Sequence, residues 1–199
     1  MTDRRRPRVA VMLSGSGRTL LNLLDQIESG GLEAEIPLVI ASRECVGAER
    51  ARQRGIETVV LPGRIPAGRL AETLQARDID YIALAGYLQL VDIPETYRGR
   101  IVNIHPALLP DFGGAWMYGD RVHEAVLAAG RTESGCTVHL CDEAYDRGEI
   151  LVQKRCQVRP DDRAQTLAAR VFELEKQAYP EALRILFARH AKNAVDDPG

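Results

Sequence analysis

The 199-residue sequence predicts an α/β fold: a Rossmann-like, doubly wound and mostly parallel sheet with helices on both faces. Three observations point to it. Short apolar runs alternate with helical patterns through the first half, no Pro/Gly/Ser-rich linker divides the chain, and one long amphipathic pattern closes it. The runs fall at 9–13, 36–41, 58–61, 81–85 and 101–104. They are apolar continuously, as strands covered on both faces require. Helical patterns over 19–29, 47–54 and 67–77 lie between them, and right-handed crossovers wind such helices onto both faces. In the second half, 120–129 reads as a helix, 134–141 and 149–158 as strands joined by a loop over 142–148, and 163–189 as the last helix. Leu167, Val171, Leu174, Ala178 and Ala182 recur there at intervals of 4, 3, 4 and 4, which makes one apolar stripe on a helix packed against the core. A single domain over 1–199 is expected, with 1–7 and 192–199 as frayed tails.

Composition narrows the classes. Apolar residues make up 45% and charged residues 27%, which excludes a disordered or fibrous chain. Lys and Arg number 26 against 28 Asp and Glu, so the chain lacks the basic excess that nucleic-acid backbones demand. An anionic ligand must be gripped by a local site. The four cysteines, Cys45, Cys136, Cys141 and Cys156, show no CxxC pair and no zinc-ligand spacing, and read as buried, reduced thiols with no metal. The basic N-terminus is followed by no signal-peptide core, and no apolar run approaches the ~20 residues of a membrane helix. A cytoplasmic protein that needs neither nucleic acid nor membrane is expected.

Three segments have the residue types for chemistry. Ser14-Gly-Ser-Gly-Arg-Thr19 joins the first strand to the first helix. Glycines let the backbone approach a ligand, and the helix N-terminus presents N–H groups to a phosphate, with Ser14, Ser16, Arg18 and Thr19 as helpers. A plain strand-to-helix turn capped by Thr19 explains the same residues. Asn103 and His105 lie two apart at the end of the fifth strand, so they share a face, and an amide beside an imidazole suits oxyanion stabilisation and proton movement. A hydrogen-bonded structural histidine is the plainer reading. Between the later strands, 142–149 carries several carboxylates, one of which could orient that imidazole; spacing alone does not choose among them. No GxSxG elbow, HExxH motif or activated cysteine occurs, so the attacking atom belongs to a substrate.

The run Asn103-Ile-His-Pro-Ala-Leu-Leu-Pro110, then Ser134-Gly-Cys-Thr-Val-His139, then Asp146 and Gly148, resembles the folate-dependent formyltransferases, and the likeness spans about 8–187. The chain is most similar to the branch whose acceptor is the primary amine of N1-(5-phosphoribosyl)glycinamide in purine (IMP) biosynthesis. The resemblance implies 10-formyltetrahydrofolate as cosubstrate, small-molecule partners, and a monomer or homodimer. It further implies Asn103, His105 and Asp146 as the catalytic triad, with Asp146 raising the His105 pKa. Gly17, Arg18 and Thr19 would hold the ribosyl phosphate, and Glu175 the acceptor. Leu88, Gln89, Leu90 and Val91 would line the pterin pocket beside Asn103, and Arg64 would meet the folate tail.

The sequence departs from this pattern at Ala115-Trp116, where Lys-Gly is usual, at Arg147 and Glu149 around Gly148, and at Gln89, where Arg is common. These bear on substrate preference. Alternatives are a formyltransferase acting on another amine such as an amino sugar, and a catalytically silent phosphate-ligand-binding module. The tRNA-directed enzyme and the hydrolase carry domains for which 199 residues leave no space.

Overall fold

The first apolar run forms β1 (Arg8–Leu13), and its last five residues are buried, as a central strand requires. In the computed structural model, which describes residues 5–196, two compact units separate. One holds the described residues up to Asn103 with Leu140–Tyr145; the other holds Ile104–His139 with the described residues from Asp146 onward.

In the first unit β1 is followed by α1 (Arg18–Glu28), β2 (Glu35–Ala41), α2 (Val46–Gln53), β3 (Glu57–Val60), α3 (Ala67–Gln75), β4 (Tyr81–Leu84) and the start of β5 (Ile101–His105). Every pairing among these strands is parallel, in the order β3-β2-β1-β4-β5. The order reverses between β1 and β4, so right-handed crossovers send α1 and α2 to one face and α3 to the other. Period-two alternation then explains why the runs are apolar throughout. Ala10, Met12, Leu38, Ile40, Ile82 and Leu84 pack with Leu70 and Leu74 of α3 in one cluster. Val9, Val11, Leu13 and Val39, which point the other way, are equally buried, as are Leu20 and Leu23 of α1 and Ala48 and Ala51 of α2.

The second unit contains the end of β5, α4 (Asp120–Ala128), β6 (Glu133–Leu140, through His139), β7 (Ile150–Gln157) and α5 (Ala164–Asp196). β6 and β7 pair antiparallel, with Ser134 opposite Cys156 and Val138 opposite Val152. α5 packs on β7 and α4. Leu167, Val171, Ala178 and Ala182 of the expected stripe are buried, whereas Leu174 is half-buried. Tyr179, Leu183 and Leu186 widen the stripe.

The α/β class and the mostly parallel pairing hold, and the boundaries move by a few residues. A 3₁₀ turn at Glu95–Tyr97 is too short to leave a periodic signal. Of the frayed tails, 1–4 and 197–199 lie outside the described residues. Arg5 pairs with Asp80 at 2.7 Å, and α5 runs on through 192–196, past the end of the apolar stripe. Only Cys136 is a fully buried thiol; Cys45, Cys141 and Cys156 are half-buried, and none of the four forms a disulfide. No helix among the described residues is long and apolar enough to cross a membrane.

Candidate active site

In the first unit, the loops after β1 and β4 leave the carboxyl ends of neighbouring strands where the strand order reverses. Open α/β sheets bind their ligands at this place. Gly17 begins α1 in the left-handed region, at φ 75°. A Cβ there would stand 2.7 Å from the Gly47 Cα, so glycine is required both for the turn and for the close approach to α2. The first backbone bond of α1 runs from Leu21 to the Gly17 carbonyl (3.1 Å), and the N–H groups ahead of it form the positive end of the helix. Arg18 is exposed and Thr19 half-buried at this end.

Two expectations for this turn change. Gly17, not Thr19, is the N-cap, and no side chain caps the helix. Ser14 is not placed to help a phosphate: it is 1% exposed, and its hydroxyl oxygen accepts from the Ser42 hydroxyl (2.7 Å) and the Leu88 N–H (3.0 Å). The turn is braced by backbone, with the Gly47 N–H on the Gly15 carbonyl (2.9 Å) and the Arg50 guanidinium on the Ser16 carbonyl (2.8 Å).

The loop after β4 turns at Gly86 (φ 74°). Leu88 and Gln89 are exposed, and Leu90 and Val91 half-buried. Arg64 lies beside this loop, its Nε donating to Asp92 Oδ1 at 2.7 Å. An apolar edge flanked by a guanidinium suits a flat heterocycle bearing a carboxylate tail. Asn103, half-buried on β5, stands opposite Leu84.

The second unit holds a buried cluster of ionisable groups. His105 ends β5, and its side chain is 4% exposed; that of Asp146 is 7% exposed. His105 Nδ1 is 3.5 Å from Asp146 Oδ2, and His139 Nε2 is 3.4 Å from Asp146 Oδ1. The Gly114 N–H donates to Asp146 Oδ2 at 2.9 Å. One carboxylate therefore sits between two imidazoles. Asp146 itself takes a left-handed backbone, φ 56°, which aspartate tolerates better than most residues. Gly113 leaves room for it, since a Cβ at Gly113 would lie 3.1 Å from Asp146 Cβ and 2.6 Å from Leu109 Cδ2. The β6 register shifts between Val138 and His139, and such irregularities re-aim side chains beside functional sites. Thr137 holds the loop after β5: its hydroxyl donates to the Ala107 carbonyl (2.7 Å) and accepts the Leu109 N–H (3.1 Å).

Burial works against charge on the His105 ring and outweighs the opposing pull of Asp146 and the Phe112 carbonyl, so its pKa lies below the ordinary value. Asp146 does push His105 upward, as expected, but does not win. His105 Nε2 is 2.8 Å from the Phe112 carbonyl, which can only accept, so that nitrogen carries a hydrogen. For Asp146, burial acts to raise the pKa. The His139 hydrogen bond, the His105 charge and the Gly114 N–H together hold it below the usual carboxylate value. His123 on α4 is also pushed down by burial.

The structure brings His105 and Asp146 together and adds His139, Gly114 and Phe112, to which the sequence reading gave no role. The only signal was His139 at the end of the quoted Ser134–His139 run. Glu175 is half-buried on α5, where its charge adds to the burial that pushes the Cys136 thiol up to about 12. Trp116 is 74% exposed. Glu149 pairs with Arg189 at 2.8 Å, and Arg147 is exposed.

The family model described as Formyl transferase matches residues 7–183. A cowpea (Vigna unguiculata) protein named phosphoribosylglycinamide formyltransferase, chloroplastic, is 39% identical over 192 residues, which is 92% of this chain and 61% of its own. A Drosophila melanogaster protein named trifunctional purine biosynthetic protein adenosine-3 is 40% identical over 197 residues, 94% of this chain and 14% of its own. The chain thus spans about three fifths of the first relative's length and about one seventh of the second's. Among solved structures, glycinamide ribonucleotide transformylase 1 from Symbiobacterium toebii superposes with a TM-score of 0.84 at 34% identity, covering 92% of this chain and 89% of that one. A formyltetrahydrofolate deformylase from Pseudomonas syringae, 23% identical with a TM-score of 0.80, shares the fold.

Proposed function

Because this chain belongs to the formyl transferase family, we propose that it moves the formyl group of 10-formyltetrahydrofolate onto the primary amine of N1-(5-phosphoribosyl)glycinamide, a step of purine biosynthesis. The observation that carries this reading is the buried Asp146 carboxylate between His139 and His105, the latter two residues beyond Asn103 on β5. We further propose that the whole chain acts as one formyltransferase domain in the cytoplasm, as a monomer or homodimer.

The folate supplies an electrophilic formyl carbon and a nitrogen leaving group; the acceptor supplies a neutral amine. The Asn103 amide and the His105 N–H, once it leaves the Phe112 carbonyl, would donate to the formyl oxygen as negative charge grows on it, typically the largest single catalytic contribution. Asp146, held ionised, would favour positive charge on His105 at that moment and pass the amine proton through water to the leaving nitrogen. Gly17, Arg18 and Thr19 would hold the ribosyl phosphate at the start of α1. Glu175 would meet the acceptor. Leu88, Gln89, Leu90 and Val91 would line the pterin pocket beside Asn103, and Arg64 would exchange Asp92 for a tail carboxylate.

A spectrophotometric assay with 10-formyl-5,8-dideazafolate tests this reading against glycinamide ribonucleotide, water and amino-sugar acceptors. Absorbance change that depends on glycinamide ribonucleotide is the expected result. Turnover with an amino sugar alone would redirect the reading to another acceptor. Binding without turnover would mark a silent module.

A further inference from the structure

The loops after β1 and β4 share one atom, the Ser14 hydroxyl oxygen. Ser14 is 1% exposed, and its oxygen accepts from the Leu88 N–H at 3.0 Å and the Ser42 hydroxyl at 2.7 Å. Its backbone reinforces the same junction: the Ser14 N–H donates to the Gly86 carbonyl at 3.1 Å, and its carbonyl accepts from Arg43 Nε at 3.0 Å. With its side chain inside the protein and its oxygen holding two donors, Ser14 is placed to join segments of the chain and not to touch a ligand. Gly15 and Gly17, on the phosphate side, lie one and three residues after it, and Leu88 opens the pterin-lining segment.

We infer that Ser14 is a positioning residue whose hydroxyl couples the phosphate turn at 14–19 to the 86–91 segment, so that occupancy of one site orders the other. This inference rests on the proposed reading of those two segments. Movement of either loop stretches a hydrogen bond held in common. A ligand that orders the turn at 14–19 therefore lowers the cost of ordering 86–91, which is positive coupling without a large change of shape. Ser14→Ala strands the Leu88 N–H and the Ser42 hydroxyl without their acceptor. Ser42→Ala removes one donor and leaves the Ser14–Leu88 bond in place.

Hydrogen–deuterium exchange of the full chain, followed in peptides covering 84–92, tests this directly. Adding N1-(5-phosphoribosyl)glycinamide alone should slow exchange at 86–91 about fivefold in the unmodified protein and in Ser42→Ala. It should not do so in Ser14→Ala held at saturating acceptor, as checked by calorimetry. In steady state, Ser14→Ala should raise KM for both substrates while kcat stays within about twofold. Ser14→Cys, close in volume but a weaker acceptor, should keep less than half of the slowing and covers the case in which Ser14→Ala fails to fold. Full slowing in either Ser14 variant, or none in the unmodified protein despite calorimetric binding, overturns the coupling alone. Absence of acceptor binding to the unmodified protein overturns the phosphate reading as well.

Discussion

The turn at 14–19 and the cluster of His105, His139 and Asp146 manage charge by opposite means. The turn presents backbone: a glycine cap, a helix end and carbonyls braced from α2, with no buried ionisable side chain among residues 14–19. The cluster hides three ionisable side chains and satisfies them with one another and with backbone groups. A backbone site is insensitive to pH and to most side-chain changes but is broken by a change of shape. A buried ionic cluster is broken by removing any one charge, because the remaining partners stay buried and unpaired. The two regions should therefore fail differently.

The sharpest contrast lies in turnover. Asp146→Ala leaves two imidazoles facing an empty place and should cut kcat on the order of a hundredfold or more; Asn103→Ala should do the same by removing an oxyanion donor. The formyl-transfer assay reads both, and near-normal turnover in either variant would remove that residue from the proposed mechanism. Gly17→Ala should instead act on binding. Its Cβ would meet Gly47 at 2.7 Å in a left-handed position, so acceptor KM should rise about tenfold with thermal stability lowered by about 1–3 kcal/mol. A kcat loss matching that of Asp146→Ala would erase the distinction between the two regions.

Acid separates them next. His105 and His123 have pKa values below the ordinary 6.5, so the unfolded chain binds more protons and stability falls as pH drops through about 6.5 toward their folded values. Asp146, lowered from 3.8, gives stability present above that value and lost only as pH falls through its lower folded value. Melting followed from pH 8 to 4 should show a declining Tm below about 6.5, flattened in His123→Gln. An unchanged Tm to pH 5 would contradict the burial of both rings. The smallest effect is expected at Arg64, exposed and paired with Asp92: Arg64→Ala should raise folate KM about threefold at constant kcat, read in the same assay.

The two regions were also unequally legible. The turn follows a strand and opens a helix, and its glycines are adjacent in sequence, so its backbone role was visible from local order. Even there, Ser14 was misread as a phosphate helper, because its real partners, Ser42 and Leu88, lie 28 and 74 residues away. In the cluster, His105 stood out through its strand spacing from Asn103. The choice of Asp146 over its neighbouring carboxylates came only from resemblance. His139 and Gly114 stayed without a role, since nothing local joins either one to residue 146.

The sequence by itself determined the α/β class and the succession of strands and helices, and its glycines marked the strand-to-helix turn ahead of α1. These follow from periodicity and backbone sterics, which act over a few residues. Only the tertiary structure decided the protonation balance. That Asp146 lifts His105 was foreseeable from charge, but that burial outweighs it was not. Desolvation depends on every group that closes over the ring, and no stretch of sequence records that sum.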